Sequence, residues 1–470
     1  MNNKNSIKLT SDKIHQYIFL LLSLAFYLFF FFYDGYVICA DTDSYICMSY
    51  TREPLYSLYL AFFRTIFANQ GNFYLLIAVL GQSLLAAYVA YNITVYLLKE
   101  FKLPSWVGYL LLAMPLATSF LCRFAAKRAS MYSNSILTEG ITISLYILFI
   151  RYCFEYIMHH SKKSFIWCFA LCWIGISSRK QMAVLLAIFA LAIVYTGVKK
   201  HFSKALIQAV LTTVCVLLLV VVFDKGYNYI LRGEFEGHVD DNRFVATMVF
   251  YTADRDYADY IENKEIRQVF LDVYDICNKN GYLMNNAPTG WFDEVSHFAD
   301  HYDMIQLDTL SLYLIDKIPD IEYGKGTASD SIRIDMIKSE MISALLPHEI
   351  PRIIKVMFNN FLAGMVNTVA QRTPLLCMYS VFIYVCYFAL LTFLFIRGKR
   401  TGFTYTNKLT LTFAILVMIS TICNVTLVAA VIFCQTRYVI YNMALFYMAG
   451  ILMLYELYRQ IFKKSGQGIH

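Results

Sequence analysis

The stretch "HQYIFLLLSLAFYLFFFFYDGYVICADTD", residues 15–43, decides the fold. From Gln16 to Tyr33 there is no charged side chain, and aromatic and aliphatic residues follow one another without the alternation of a strand. Roughly 20 such residues cross the hydrocarbon core of a bilayer as a helix. Such a segment must satisfy its backbone internally, which leaves helix as the only solution for a single run. The reading is therefore a membrane helix over about 15–37. Two carboxylates, Asp41 and Asp43, stand one residue apart just beyond its end. Ile38 is a poor small residue for signal cleavage, so the helix is expected to be retained.

The rest of the chain repeats this pattern. Of its 470 residues, 59% are hydrophobic and 16% charged, and mean hydropathy is +0.52. Soluble domains carry about a quarter charged residues. The expected fold is an all-α polytopic membrane protein of about ten spans: 15–37, 73–98, 104–121, 136–156, 165–178, 181–197, 205–223, 374–396, 409–433 and 438–460. Lysines and arginines cluster at the N-terminus, at 99–102, 162–163 and 199–204, at "RGKR" 397–400 and at 463–464. With ten spans all of these fall on one side, which predicts cytoplasmic termini. The opposite side then carries 38–72, a short loop near 122–135, "SSRKQ" at 177–181, the long segment 224–373 and "QTRY" at 435–438. The chain divides into an N-terminal transmembrane module (1–223, with first external loop 38–72), an external, mainly helical insertion with an interfacial helix (224–373), and C-terminal transmembrane helices (374–470).

Acid placement is uneven. Of 33 Asp and Glu, 23 lie between 224 and 346 against 11 Lys and Arg, so that segment nets −12 and the remainder +19. Asp34, Asp41, Asp43 and Glu53 form the other cluster. In an acid-poor membrane protein, gathered carboxylates mark chemistry. Within the insertion, "DYADYIENKEIRQVFLDVYDICNKNG" has helical spacing, and "APTGWFDEVSHFADHYDMI" reads as a turn followed by a helix. "DSIRIDMIKSEMISALLPHEIPRIIKVMFNNFLAGMVNTV" reads as a helix, a proline break and an amphipathic helix on the membrane surface.

Other chemistries find no footing. Twelve cysteines are dispersed and form no CxxC pair. His297 and His301, with Asp300 and Asp303 nearby, have metal-ligand spacing, but without a HExxH pattern a solvated helix face is the simpler reading. There is no P-loop and no GxGxxG, and the positive net charge follows from topology, so neither a nucleotide cofactor nor nucleic acid is expected.

"DTDSY" at 41–45 followed by "REPLYSLYLAFF" at 52–63 resembles the first external loop of the GT-C glycosyltransferases, in particular the protein O-mannosyltransferase type and its lipid A aminoarabinose transferase relatives. The matching residues are Asp43 and Ser44, then Arg52, Pro54 and Tyr56; Ser57 replaces a second proline. "SILTE" at 135–139, "SSRKQM" at 177–182 and "TRYVI" at 436–440 extend the likeness over the helical scaffold, but not over 224–346. The resemblance implies a membrane enzyme that takes a sugar from a polyprenyl-phosphate donor by inverting displacement. It passes the sugar to an extracytoplasmic glycan, lipid or protein. Asp43, or else Asp41, would be the catalytic base, and a divalent cation held by Asp41 and Asp43 stays open, since family members with such donors do not all need one.

A departing lipid phosphate must be met by cations, and basic residues on the external side break the positive-inside pattern. Arg437, Arg179, Arg123, Lys127, Arg128 and Arg52 are the candidates, together with Lys180 and Arg372; arginine suits bidentate phosphate contact. Glu139 is either a functional acid or a buried partner for one of these bases. Tyr45, Tyr56 and Trp291 are candidates for stacking on sugar. A bacterial plasma membrane fits the absence of an obvious external sequon or retention signal. Two other readings remain: an O-antigen polymerase or ligase, which would not need the acidic pair, and a transporter or flippase of lipid-linked sugars, which would show internal repeat symmetry.

Overall fold

The computed structural model describes residues 2–124, 129–198, 202–239, 242–323 and 329–462, with side chains from residue 13 onward. Lys127 and Arg128 lie outside the described residues. The described chain is all helical; its sole β-type contact is an isolated bridge between Val37 and Ser135.

Eight helices are long and apolar enough to cross a membrane: Lys13–Asp34, Phe73–Glu100, Glu139–His159, Lys180–Gly197, Phe202–Arg232, Pro374–Thr401, Tyr405–Ala429 and Thr436–Phe462. Each answers to one expected span. The other two expected spans are helices of 17 residues, Ser105–Leu121 and Lys162–Ser178. At ~1.5 Å per residue they fall short of a ~30 Å hydrocarbon core. Both are nevertheless built into the bundle, the first against the last helix and Phe73–Glu100, the second against Glu139–His159 and Phe202–Arg232.

The bundle core joins Phe149, Phe154, Phe189, Phe413, Tyr441 and Phe446. A second core, around Phe250, Phe270, Tyr302 and Leu345, holds the helices between 242 and 369 together. It runs on without interruption into Val425, Val428 and Ile432 at the end of a bundle helix. The 242–369 unit is thus seated on the bundle rather than tethered to it.

One expectation about that unit needs correction. The "DSIRIDMIKSEM…" segment is a single 40-residue helix, Asp330–Val369, with Pro347 and Pro351 inside it. A proline removes one helical hydrogen bond and crowds the preceding turn. These two are four residues apart and both exposed, while Leu345, Glu349 and Ile353 on the opposite face are buried. Packing along that face holds the helix through the prolines.

The loop after the first helix is stitched to a distant segment. Gly35, at φ +63°, closes the helix with its N–H on the Phe31 carbonyl. Val37 then exchanges backbone hydrogen bonds with Asn134 and Ile136 at 2.8 and 3.0 Å. Asn134 Nδ2 donates to the carbonyls of Phe30 and Gly35, and Thr42 Oγ1 donates to that of Ile136. Beneath them Gln82, fully buried, donates to the carbonyls of Ser133 and Ser135 and accepts from Tyr56. These bonds fix where Asp41 sits.

Candidate functional site

At this end of the bundle lies a cavity of about 450 Å³. Its walls come from five separate stretches: the first loop (Asp41, Tyr45, Thr51, Arg52, Glu53), residues 179–181, residues 243–245, residues 303–307, and 427–438. Five cations, Arg52, Arg179, Lys180, Arg243 and Arg437, face three carboxylates, Asp41, Glu53 and Asp303. One wall is apolar, formed by Phe244, Val245, Leu307, Leu427, Val428, Val431 and Ile432.

The charged groups form a chain. Arg52 donates from Nη2 to Asp41 Oδ1 at 2.8 Å, and Arg437 donates from Nη2 to Asp41 Oδ2 at 2.9 Å. Arg437 also donates through Nε to Glu139 Oε1, and Arg179 Nη1 reaches the same oxygen at 2.5 Å. Glu139 itself is 0% exposed. Thr138 Oγ1 accepts from Arg179 and donates to Glu139 Oε2. Arg52 is held from behind by Ser44 Oγ at 2.7 Å and lies 4.8 Å over the Tyr45 ring. Both oxygens of Asp41 are therefore taken by guanidinium groups. Burial pushes its pKa up, but Arg52 and Arg437 outweigh burial and hold the carboxyl below its ordinary value.

The acidic pair of the sequence is split. Asp41 lines the cavity; the Asp43 side chain is exposed and lies outside it. The two residues share a one-turn helix edge, and successive positions there face different ways, so the adjacent acid the resemblance favours looks out to solvent. The described residues contain no group of three His, Cys, Asp or Glu able to hold a metal.

The basic candidates divide as well. Arg437, Arg179, Arg52 and Lys180 line the cavity. Arg123 does not: it pairs with Asp34 and lies over the Phe30 and Tyr33 rings at 4.9 and 5.7 Å. Arg372 donates to the Phe292 carbonyl and Ser296 Oγ, away from the cavity. Tyr56 is a core residue, 0% exposed with its hydroxyl on Gln82, so its place is structural and not beside a sugar. Tyr45 lines the cavity beneath Arg52, and Trp291 binds the Asn359 carbonyl elsewhere. His297 has one ring nitrogen against Tyr251 Oη and the other against the Gly281 carbonyl, which leaves it none for a metal.

Arg243, Gln306 and the cavity position of Asp303 escaped the sequence reading. All three belong to the acid-rich segment 224–346, where a charged residue is unremarkable and no motif singles it out. Asp303 was grouped with His297 and His301 by spacing; the structure turns it to the cavity instead. No family model, curated protein or solved structure matches this chain.

Proposed function

We propose that this chain is a GT-C type glycosyltransferase that moves a sugar from a polyprenyl-phosphate donor to an extracytoplasmic glycan, lipid or protein. The observation that carries this reading is the cavity at one end of the bundle, where an excess of arginine meets an apolar wall. An anionic headgroup on an apolar chain matches both halves. Arg52, Arg179 and Arg437 come from the first loop, "SSRKQM" and "TRYVI", the stretches on which the resemblance rests; Arg243 comes from the segment outside it.

The membrane topology belongs to the same reading: ten passes, both termini cytoplasmic, and 224–373 outside a bacterial plasma membrane. Two clusters support it. Glu100, His159 and Tyr405 meet at the far end, next to Lys99, Lys102, Lys162 and Lys163. The residues assigned to external loops meet around the cavity. That alternation requires the two shorter helices to traverse the bundle.

In this mechanism Asp41 and Glu139 act on the arginines. They hold Arg52, Arg179 and Arg437 extended and spaced before the donor arrives, so little reorganisation is needed as phosphate charge develops. The incoming phosphate competes with Asp41 for Arg52 and Arg437. Fixed guanidinium donors then stabilise the phosphate as the sugar departs.

The test uses the full chain in lipid nanodiscs with radiolabelled polyprenyl-phosphate sugars and an envelope extract as acceptor. Retention of polyprenyl phosphate by native mass spectrometry, together with label transfer, is the expected result. Failure to retain any polyprenyl phosphate would remove the reading. Orientation is checked separately: on a Cys-depleted background, Asp293→Cys should label from outside and Lys399→Cys only from inside.

A further inference from the structure

Asp303 differs from every other carboxylate around the cavity. Asp41 is bound by two arginines, Glu53 accepts the Lys180 backbone N–H at 2.6 Å, and Glu139 lies between Arg179 and Arg437. The Asp303 side chain lines the same cavity, is exposed, and makes no hydrogen bond or ion pair among the described residues.

Asp303 is the last residue before an irregularity of the backbone. The helix Trp291–Asp303 ends at this residue and continues as a π-helix, Met304–Ser311. A π turn is wider than an α turn, is rare, and recurs at functional sites because it shifts the register of the side chains that follow. Here Tyr302 and Ile305 remain in the core while Asp303, Gln306 and Leu307 reach the cavity.

Resting on the glycosyltransferase reading, we propose that Asp303 is the base of the transfer and that the acceptor is a hydroxyl compound. The acceptor O–H proton passes to the Asp303 carboxylate. The oxygen lone pair forms the new bond to the sugar's anomeric carbon as the bond from that carbon to the phosphate oxygen breaks. The electron pair of the broken bond leaves on the polyprenyl phosphate, between Arg52 and Arg437. Asp41 is then a positioning residue, since its two oxygens hold Arg52 and Arg437 in place for the phosphate.

The surroundings suit a base. Partial desolvation by the surrounding cavity lining, then Asp41 and Asp308, raise the Asp303 pKa, against Arg243 and Arg437, and the net direction is up even though the side chain stays open to the cavity. Arg52, Glu53, Arg179 and Lys180 are the other charged groups of the cavity. A donor phosphate that engages Arg437 withdraws part of the compensating positive charge, so donor binding strengthens the base.

The experiment compares wild type with Asp303→Asn, Asp303→Glu and the control Asp308→Asn in nanodiscs. It measures polyprenyl-phosphate retention and single-turnover transfer across pH. Asp303→Asn should retain the lipid and lose transfer by on the order of 10²–10⁴-fold, as removal of a general base does. It should also lose the acid limb of the pH profile, while Asp303→Glu recovers part of the rate, and Asp308→Asn, which removes one of the charges that raise the Asp303 pKa, keeps the acid limb but moves it to lower pH. Normal transfer by Asp303→Asn, or equal losses of retention and transfer, would overturn the assignment and leave the donor reading standing. A wild-type protein that neither retains the lipid nor transfers sugar would overturn both.

Discussion

Arg123 and Arg437 begin alike and end differently. Both lie at the same end of the bundle, their side chains are 15% and 18% exposed, and both bind a carboxylate. Arg123 meets Asp34 one to one and lies over two aromatic rings of the first helix, so its charge is neutralised where it stands. Arg437 is shared between Asp41 and Glu139, which are in turn shared with Arg52 and Arg179. Three guanidinium groups and two carboxylates leave positive charge uncompensated beside an open cavity. An arginine whose pair is closed is thus an anchor. One whose charges do not cancel keeps positive charge at the cavity.

The comparison breaks most readily at Glu139. Glu139→Gln leaves two largely buried arginines with less compensation, and removing one partner of a buried ion pair costs about 3–5 kcal/mol. Thermal unfolding in detergent should show a loss of that order; an unchanged melting temperature would mean the pairs are not closed in solution. Arg437→Ala is expected to weaken donor binding or turnover by about 2–5 kcal/mol, the cost of truncating a desolvated charge pair. Wild-type donor affinity in that variant would make Arg437 an anchor like Arg123.

Arg123→Ala should lower stability by about 1–3 kcal/mol, because Asp34 is left without its donor. Transfer per folded molecule should not change, and a selective loss of transfer would place Arg123 in the site after all. Acid titration sharpens the contrast further. The folded Asp41 carboxyl is held below its ordinary value. Its contribution to stability is therefore complete above the unfolded value of about 4 and fades only as pH falls through the lower folded value. The stability gap between wild type and Asp41→Asn should be flat from neutral pH down to about 4 and close below it. The smallest effect belongs to Asp43→Asn, a surface change expected within ±0.5 kcal/mol of wild type in stability and without loss of transfer. A loss of transfer there would restore the residue the resemblance ranks first.

Much of the scaffold was legible. Each expected span coincides with a helix, because a run of apolar side chains long enough for a bilayer admits little else. The first loop stands out by its gathered acids, and Arg437, Arg179 and Arg52 by their place in segments expected to be external; all of these stretches contribute to the cavity. Less legible was the role of each residue. Tyr56 and Tyr45 are both tyrosines of one loop, yet one is a core residue on Gln82 and the other lines the cavity. Pro347 and Pro351 signalled a break that packing overrode.

Membrane helices and their charge bias follow from the sequence alone, because hydropathy and the count of Lys and Arg are properties of contiguous residues. Which acid faces the cavity was settled only by the tertiary structure. Asp41 and Asp43 are chemically identical and one residue apart, and only the stitching of 35–42 to 134–136 turns the first inward. The same holds for Arg437 with Glu139, 298 positions apart, and for Asp303, far along the chain from Asp41 yet lining the same cavity. Electrostatic pairing depends on distance through space, and sequence separation carries no record of it.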